Sequence, residues 1–276
     1  MSPSSSAKDR ASPTDFATLS AVAHRLSDVA AAETLRHFRR PGLAIDSKAT
    51  GGGFDPVTEA DRAAERAMRA CLAEMRPDDG VLGEEFAATK GTSGLTWVLD
   101  PVDGTRAYMA GAPTWGTLIA VRGPHGLLYG LIDQPHIGER FEGGNGTARF
   151  VRGGRETPLS TRAAGGLAEA VLLTTFPEIG TAAERDAFAR VAERVRLVRY
   201  GLDCYAYALL AAGHVDLVIE AGLQPHDIAA PIAVIEAAGG IVTDWRGGPA
   251  ADGGRVIAAG SHAVHAAALE VLRQTP

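Results

Sequence analysis

The chain has 276 residues, 46% hydrophobic and 22% charged, a balance that fits one large globular domain or two modest lobes and excludes global disorder. A net charge of −6 excludes the basic field of a nucleic-acid binder, yet a small phosphorylated ligand stays compatible, because bound divalent cations reverse the sign of an acidic pocket. The two cysteines, Cys71 and Cys204, lie far apart, which excludes a disulfide framework or structural zinc site and fits a reducing cytoplasm, and no apolar run approaches the ~18–20 residues of a membrane span.

Residues 1–13, rich in Ser, Ala and Pro without an apolar stretch, read as a disordered tail and not as a signal peptide. From Phe16, apolar residues at helical spacing (Leu19, Val22, Leu26, Val29) predict a helix to about Arg40. A loop from Pro41 to Pro56 carries Lys48 and the glycines 51–53. Thr58, with Asp61 three residues on, is an acidic form of the capping box and opens a helix ending near Arg76-Pro77. Short strands at Val81-Leu82 and Thr96–Leu99 each run into an acidic group. Trp115–Val121 and Leu127–Ile132 read as a hairpin, and Arg140–Glu142 with Ala148–Val151 flank a Gly-Asn-Gly turn. Residues 14–156 are thus an α+β lobe with mainly antiparallel strands.

Residues 157–276 alternate strand and helix. Strands are predicted at Val171–Thr174, Leu197–Tyr200, Asp216–Glu220, Ile241–Trp245 and Val256–Ala259. Helices fall at Tyr205–Ala212, Ile228–Ala238 and Ala263–Arg273. This is an α/β lobe packed tightly against the first.

The segment Trp97-Val98-Leu99-Asp100-Pro101-Val102-Asp103-Gly104-Thr105 carries the strongest chemistry. An apolar strand delivers Asp100 and Asp103 across a Pro-constrained turn, with the Val102 carbonyl between them. Hard cations such as Mg²⁺ take such oxygen ligands. Gly104-Thr105 opens a short helix whose N–H groups are a seat for phosphate. The rival reading, a solvated turn capped locally by Asp, does not account for the apolar strand. Glu84, in Gly83-Glu84-Glu85, follows an apolar run, but alone such a pair is surface charge. Asp227 alone reads as an N-cap, and a capping box alone would explain Asp61. No G-x-x-x-x-G-K-[ST] is present, so glycines 51–53 are not a P-loop. The Asp-x-x-Asp spacing also differs from the Asp-x-Asp of haloacid-dehalogenase-type phosphatases.

Taken together, the segments Asp55-Pro56-Val57-Thr58-Glu59-Ala60-Asp61, Gly83-Glu84-Glu85, Asp100–Thr105 and Asp227 with Glu236-Ala237-Ala238-Gly239-Gly240 resemble the inositol monophosphatase family. The resemblance runs from about Ala17 to Arg273. It implies a layered αβαβα sandwich and a Mg²⁺-dependent phosphomonoesterase with two or three Mg²⁺ per site. Glu84, Asp100 and the Val102 carbonyl would hold one ion, and Asp100, Asp103 and Asp227 a second. Gly104 and Thr105 would bind phosphate through their N–H groups. Glu84, with Thr105 and Asp61 behind it, would orient the water that attacks phosphorus.

Arg199–Tyr207, Pro113–Ala120 and Ile132-Asp133-Gln134-Pro135 resemble the histidinol-phosphatase branch of that family, which acts on L-histidinol phosphate in histidine biosynthesis. Arg199, Asp203 at a helix start and Glu220 at a strand end are then the substrate residues, and the acidic pocket suits a cationic substrate. Leu202 and His226 depart from the branch, which usually has Gly and an aromatic there. His226 reads as a packing or hydrogen-bonding residue. The resemblance also implies a cytoplasmic homodimer, without nucleic-acid or membrane partners. Hydrolysis of inositol-1-phosphate or other sugar phosphates is the alternative within the family. A catalytically silent Mg²⁺- or phosphate-binding regulator is the alternative of another class, and the complete set Asp61, Glu84, Asp100, Asp103, Thr105 and Asp227 argues against it. His262 and His265 read as surface residues, Trp97, Trp115 and Trp245 as core, and Cys71 as a small hydrophobe on a helix stripe.

Overall fold

Helix α1 (Phe16–His37) begins where the Asp15 carboxylate accepts the Thr18 N–H at 2.7 Å and stops three residues short of Arg40. The computed structural model describes residues 14–40, 45–47 and 56–275. The expected tail at 1–13, Lys48 and glycines 51–53 lie outside them. Strands β1 (Ile45–Ser47) and β2 (Pro56–Thr58) pair antiparallel. Helix α2 (Glu59–Met75) follows, opened by the Thr58–Asp61 capping box that its sequence predicts.

A seven-stranded sheet keeps chain order: β3 (Gly80–Gly83), β4 (Thr96–Asp103), β5 (Gly116–Gly123), β6 (Gly126–Gln134), β7 (Glu139–Gly144), β8 (Thr147–Arg152) and β9 (Arg155–Pro158). Only the β3–β4 pair is parallel. Between β4 and β5 lies the six-residue helix α3 (Thr105–Ala110). Strand β9 is exposed at every residue, so it shows no hydrophobic alternation and gave no sequence signal.

The second sheet is mixed. Its strands are β10 (Val171–Thr174), β11 (Leu197–Tyr200), β12 (Leu217–Leu223), β13 (Ile241–Asp244) and β14 (Gly254–Ala259), in the order β11-β10-β12-β14-β13. β11, β10 and β12 are parallel, and β14 runs antiparallel to β12 and β13. Helices α4 (Ala182–Ala192), α5 (Cys204–Ala211), α6 (Pro225–Ala237) and α7 (His262–Leu272) complete the chain. Helix α4 is absent from the sequence expectations, although the Thr181–Glu184 capping box that opens it has the T-x-x-E pattern of a helix start.

Strand alternation assigns the layers. In β4, Trp97 and Leu99 join Leu19, Leu26 and Met68 of α1 and α2. Val98 points the other way, into a core shared with α5, α6 and the second sheet. In β14, Val256 and Ala258 face that central core, while Ile257 and Ala259 face α4 and α7. Both sheets are covered on both faces, and the five layers form the expected αβαβα sandwich. Helix α6 fills the middle, and its stretch from Ile228 to Ile235 is apolar and buried on every side, as a helix inside a core must be. Its close approach needs Gly130, where a Cβ would fall 2.4 Å from the Ala230 carbonyl oxygen.

Trp97, Trp115 and Trp245 are fully buried, as expected. His262 is exposed. His265 is not the surface residue its sequence position suggests: it is buried, with Nε2 2.9 Å from Thr243 Oγ1. Its place in α7 turns it toward β13, whereas Ala263 and His262 face water. Among the described residues no helix is long and apolar enough to cross a membrane.

Candidate metal centre

Residues three apart on a regular strand point to opposite faces, so Asp100 and Asp103 should diverge. They do not, because the register shifts between them: Asp100 stands opposite Leu118 and Asp103 opposite Gly116. One extra residue is thus accommodated on β4, a bulge of the kind that re-aims side chains. Each carboxylate is then fixed by a backbone N–H. Asp100 Oδ1 accepts from Val102 at 3.0 Å and Asp103 Oδ2 from Cys204 at 2.7 Å. The Val102 side chain is buried with Phe38, Tyr108 and Trp115, which anchors the bulge from below.

Two other carboxylates reach the centre by a shared local device. Asp61 and Asp227 both sit at the third position of a helix, and each accepts the N–H of its N-cap: Asp61 Oδ2 from Thr58 at 2.9 Å, Asp227 Oδ2 from Gln224 at 2.7 Å. Asp227 is therefore not an N-cap, the alternative its sequence left open. Pro225 can occupy the first helical position because its missing N–H would be unpaired there, and this starts the helix at Pro225, three residues earlier than the apolar pattern indicates. The Thr58 hydroxyl also donates to Asp61. Asp61 Oδ1 lies 3.5 Å from Thr105 Oγ1, which in turn is 3.1 Å from the Val102 carbonyl.

Glu84 follows β3 and is held through its neighbours. The buried Glu65 of α2 accepts the Glu85 N–H at 2.7 Å and pairs with Arg69 at 2.7 Å. A Cβ on Gly83 would fall 2.0 Å from Glu65 Oε1, so any side chain at this end of β3 would have to displace that carboxylate. Sequence reasoning missed Glu65, whose spacing to Arg69 reads as an ordinary helix-surface pair.

Donor atoms of Asp100, Asp103 and Asp227 lie within 4.8 Å of one another, as do those of Glu84, Asp100 and His226. His226 thus stands at the cluster, its Nε2 3.4 Å from Asp227 Oδ1, which places the residue, expected to pack or hydrogen-bond, beside the donor groups. Burial, then the charges of Glu84, Asp103 and Asp227, push the Asp100 carboxyl well above the usual range. Burial, then Asp203 and Asp227, do the same to Asp103, against the pull of the Cys204 N–H. Asp61 is also raised, chiefly by burial. Carboxylates crowded in this way repel one another when ionised. Their oxygens, with the Val102 carbonyl, are the donor set of a hard divalent cation, and the residues present fit such an ion.

Beside the cluster lies a cavity of about 490 Å³ lined by Gly104, Thr105, Arg106, Thr175, Phe176 and Asp203. Asp203 is the residue before α5 and holds φ at 46°, an uncommon conformation outside glycine. It presses on Gly104, where a Cβ would meet Asp203 Cγ at 2.8 Å. Burial pushes the Asp203 carboxyl up to about 6, with Thr114 and Arg106 acting against it. Glu220 stands behind the wall: its Oε1 accepts the Thr175 N–H at 2.6 Å and hydroxyl at 2.9 Å, and burial pushes it up to about 7. Arg199, expected in the substrate site, is exposed on the outer strand β11 beside Leu173 and does not line the cavity. Arg106 does, its guanidinium carbon 5.4 Å from the ring of the half-exposed Phe176. Neither residue stood out in the sequence, since a lone Arg in a six-residue helix or a lone Phe in a loop carries no spacing signal.

A profile of the inositol monophosphatase family matches residues 15–275. The bifunctional phosphatase IMPL2 of Arabidopsis thaliana is 39% identical over 272 residues, covering 95% of this chain and 77% of that protein. A histidinol-phosphatase of Chlorobaculum parvum is 34% identical, with 82% and 85% covered. Among solved structures, an inositol monophosphatase from Zymomonas mobilis is 41% identical and superposes with a TM-score of 0.80, over 92% of this chain and 96% of that one.

Proposed function

The chain belongs to the inositol monophosphatase family and is a phosphoric monoester hydrolase, and from that premise we propose that it cleaves L-histidinol phosphate to L-histidinol and phosphate with Mg²⁺. The observation that carries the substrate is the cavity beside the carboxylate cluster, with the Asp203 carboxyl and the Phe176 ring on its walls. Histidinol phosphate brings an ammonium group for the carboxylate and an imidazole for the ring face, while its phosphate points at the cluster. The names of the similar histidinol-phosphatases support the same choice.

In this reading Glu84, Asp100 and the Val102 carbonyl hold one Mg²⁺, and Asp100, Asp103 and Asp227 a second. The chemistry two such ions supply is neutralisation of phosphate charge and activation of water at neutral pH. The chain's own groups do the rest. N–H groups of Gly104 and Thr105 receive phosphate oxygens. The Thr105 hydroxyl, with the Val102 carbonyl 3.1 Å away as an acceptor for its proton, turns its lone pairs toward the attacking water. Glu84, with Thr105 and Asp61 behind it, orients that water and takes up its proton. Asp203 holds the leaving alcohol, and Glu220, behind the cavity wall, positions Thr175. A cytoplasmic homodimer and a place in histidine biosynthesis belong to the same reading.

Inositol-1-phosphate is the second reading, favoured by the 41% identity to a solved inositol monophosphatase and by the capacity of Asp203 to accept hydroxyl hydrogen bonds. Phosphate release from the two esters, side by side with Mg²⁺, separates them. A strong preference for histidinol phosphate is expected. Equal rates, or preference for inositol phosphate, reject the substrate while leaving the hydrolase.

A further inference from the structure

The two donor groups of the centre share Asp100 but are chemically unequal. One is made of carboxylates alone, from Asp100, Asp103 and Asp227; the other combines Glu84 and Asp100 with a ring nitrogen of His226. His226 is the second residue of α6, between Pro225 and Asp227. Its backbone is therefore fixed by the same helix start that fixes Asp227. The ring is mostly buried, and its Nε2 is 3.4 Å from Asp227 Oδ1. Carboxylates thus surround the imidazole on the α6 side and, through Glu84 and Asp100, on the side of the first sheet.

Carboxylate, carbonyl and water oxygens suit Mg²⁺, whereas imidazole raises affinity for transition metals, which rises along the first row and stays high at Zn²⁺. We infer that His226 is a nitrogen ligand to the cation held by Glu84 and Asp100, so that this position favours a borderline cation such as Zn²⁺ or Co²⁺ while the all-carboxylate position keeps Mg²⁺. The inference rests on the metal centre of the proposed function, amending it at the position of Glu84, Asp100 and the Val102 carbonyl, where His226 adds a nitrogen and Mg²⁺ is no longer the preferred ion, and it does not rest on the substrate. It assigns the chain a mixed centre, with one hard and one softer position 
bridged by Asp100. The consequence is selective. Micromolar Zn²⁺ competes at the first position and leaves the second to Mg²⁺.

The test uses the full chain loaded with Mn²⁺ as a paramagnetic probe. Pulsed electron paramagnetic resonance of the wild type is compared with His226→Phe and His226→Gln, the second variant retaining a polar side chain if the first fails to fold. Expected is a nitrogen modulation from coordinated imidazole in the wild type that disappears in the variants while Mn²⁺ stays bound. Calorimetry runs in parallel: Zn²⁺ affinity is expected to fall on the order of 10-fold or more in either variant, with Mg²⁺ affinity far less affected. Bound Mn²⁺ without nitrogen modulation, or modulation that survives in the variants, overturns the inference and leaves the carboxylate centre standing. Failure of the wild type to bind Mn²⁺ at all overturns both.

Discussion

Asp100 is the residue on which the centre turns, since both donor groups include it. Its carboxylate is buried, and its neighbours' charges oppose its ionisation. Asp100→Asn keeps the shape and removes the ionisable group. Turnover is expected to fall by about three orders of magnitude or more, while the metal-free variant melts no lower than the metal-free wild type, because the amide needs neither a charge nor a captured proton among its acidic neighbours. Wild-type activity in that variant would sink the assignment. Glu220 makes a separable prediction. Its folded value, about 7, lies above the ordinary 4.5, so the fold binds its proton more tightly than the unfolded chain does. That contribution is fully present below about pH 4.5 and is lost as pH rises through about 7. Urea unfolding across this range should show the wild type losing up to about 3 kcal/mol from this group, and Glu220→Gln should flatten the slope. An unchanged slope would mean that Glu220 is not desolvated. At this scale the sequence was most informative where charge and apolar context met, as in the Asp100–Thr105 segment. It was least informative for His226, whose neighbours come from residues far away in the chain, and for Arg199, whose exposure on β11 depends on sheet order.

Short devices at the ends of elements do most of the positioning. The bulge in β4 and the paired N-cap contacts of Asp61 and Asp227 each convert a local backbone irregularity into a fixed carboxylate. The helix starts were legible because capping is encoded within four residues: Thr58–Asp61 predicted α2 to within a residue, and the overlooked Thr181–Glu184 would have placed α4. The bulge was not legible, since register depends on the partner strand. The loop after β3 is the most sensitive of these devices. Gly83→Ala places a methyl where Glu65 now lies and should displace that carboxylate, releasing the Glu85 N–H and with it Glu84. The expected result is a loss of about 1–3 kcal/mol in stability, read by thermal melting, and a fall in kcat larger than the change in KM. A variant with normal kcat would show that Glu84 is positioned by other contacts.

At the scale of the whole molecule, the two halves were legible from antiparallel alternation in the first and strand–helix alternation in the second, whereas the five-layer stacking followed only from the family resemblance. Residues 80–158 and 171–259 do supply separate sheets. What the pattern could not give was how far the halves share a core, since α6 packs against the seven-stranded sheet as well as its own. The cluster is drawn from both halves, so cation binding should be felt globally. Mg²⁺ at millimolar concentration is expected to raise the melting temperature by binding the native state alone. The gain should grow as pH rises, because the raised carboxyls of Asp100 and Asp103 must give up their protons to bind it. A melting temperature indifferent to Mg²⁺ at every pH would count against the site.

The placement of Asp227 on the helix between the sheets has one more effect. A cation gripped at once by β4 and by the start of α6 is a removable cross-link between segments far apart in sequence. Such a link shortens the effective loop that the unbound chain must close through packing alone. Metal occupancy would then set how readily the seam between the two sheets opens. Limited proteolysis near that seam should slow when the ion is added, with no substrate present.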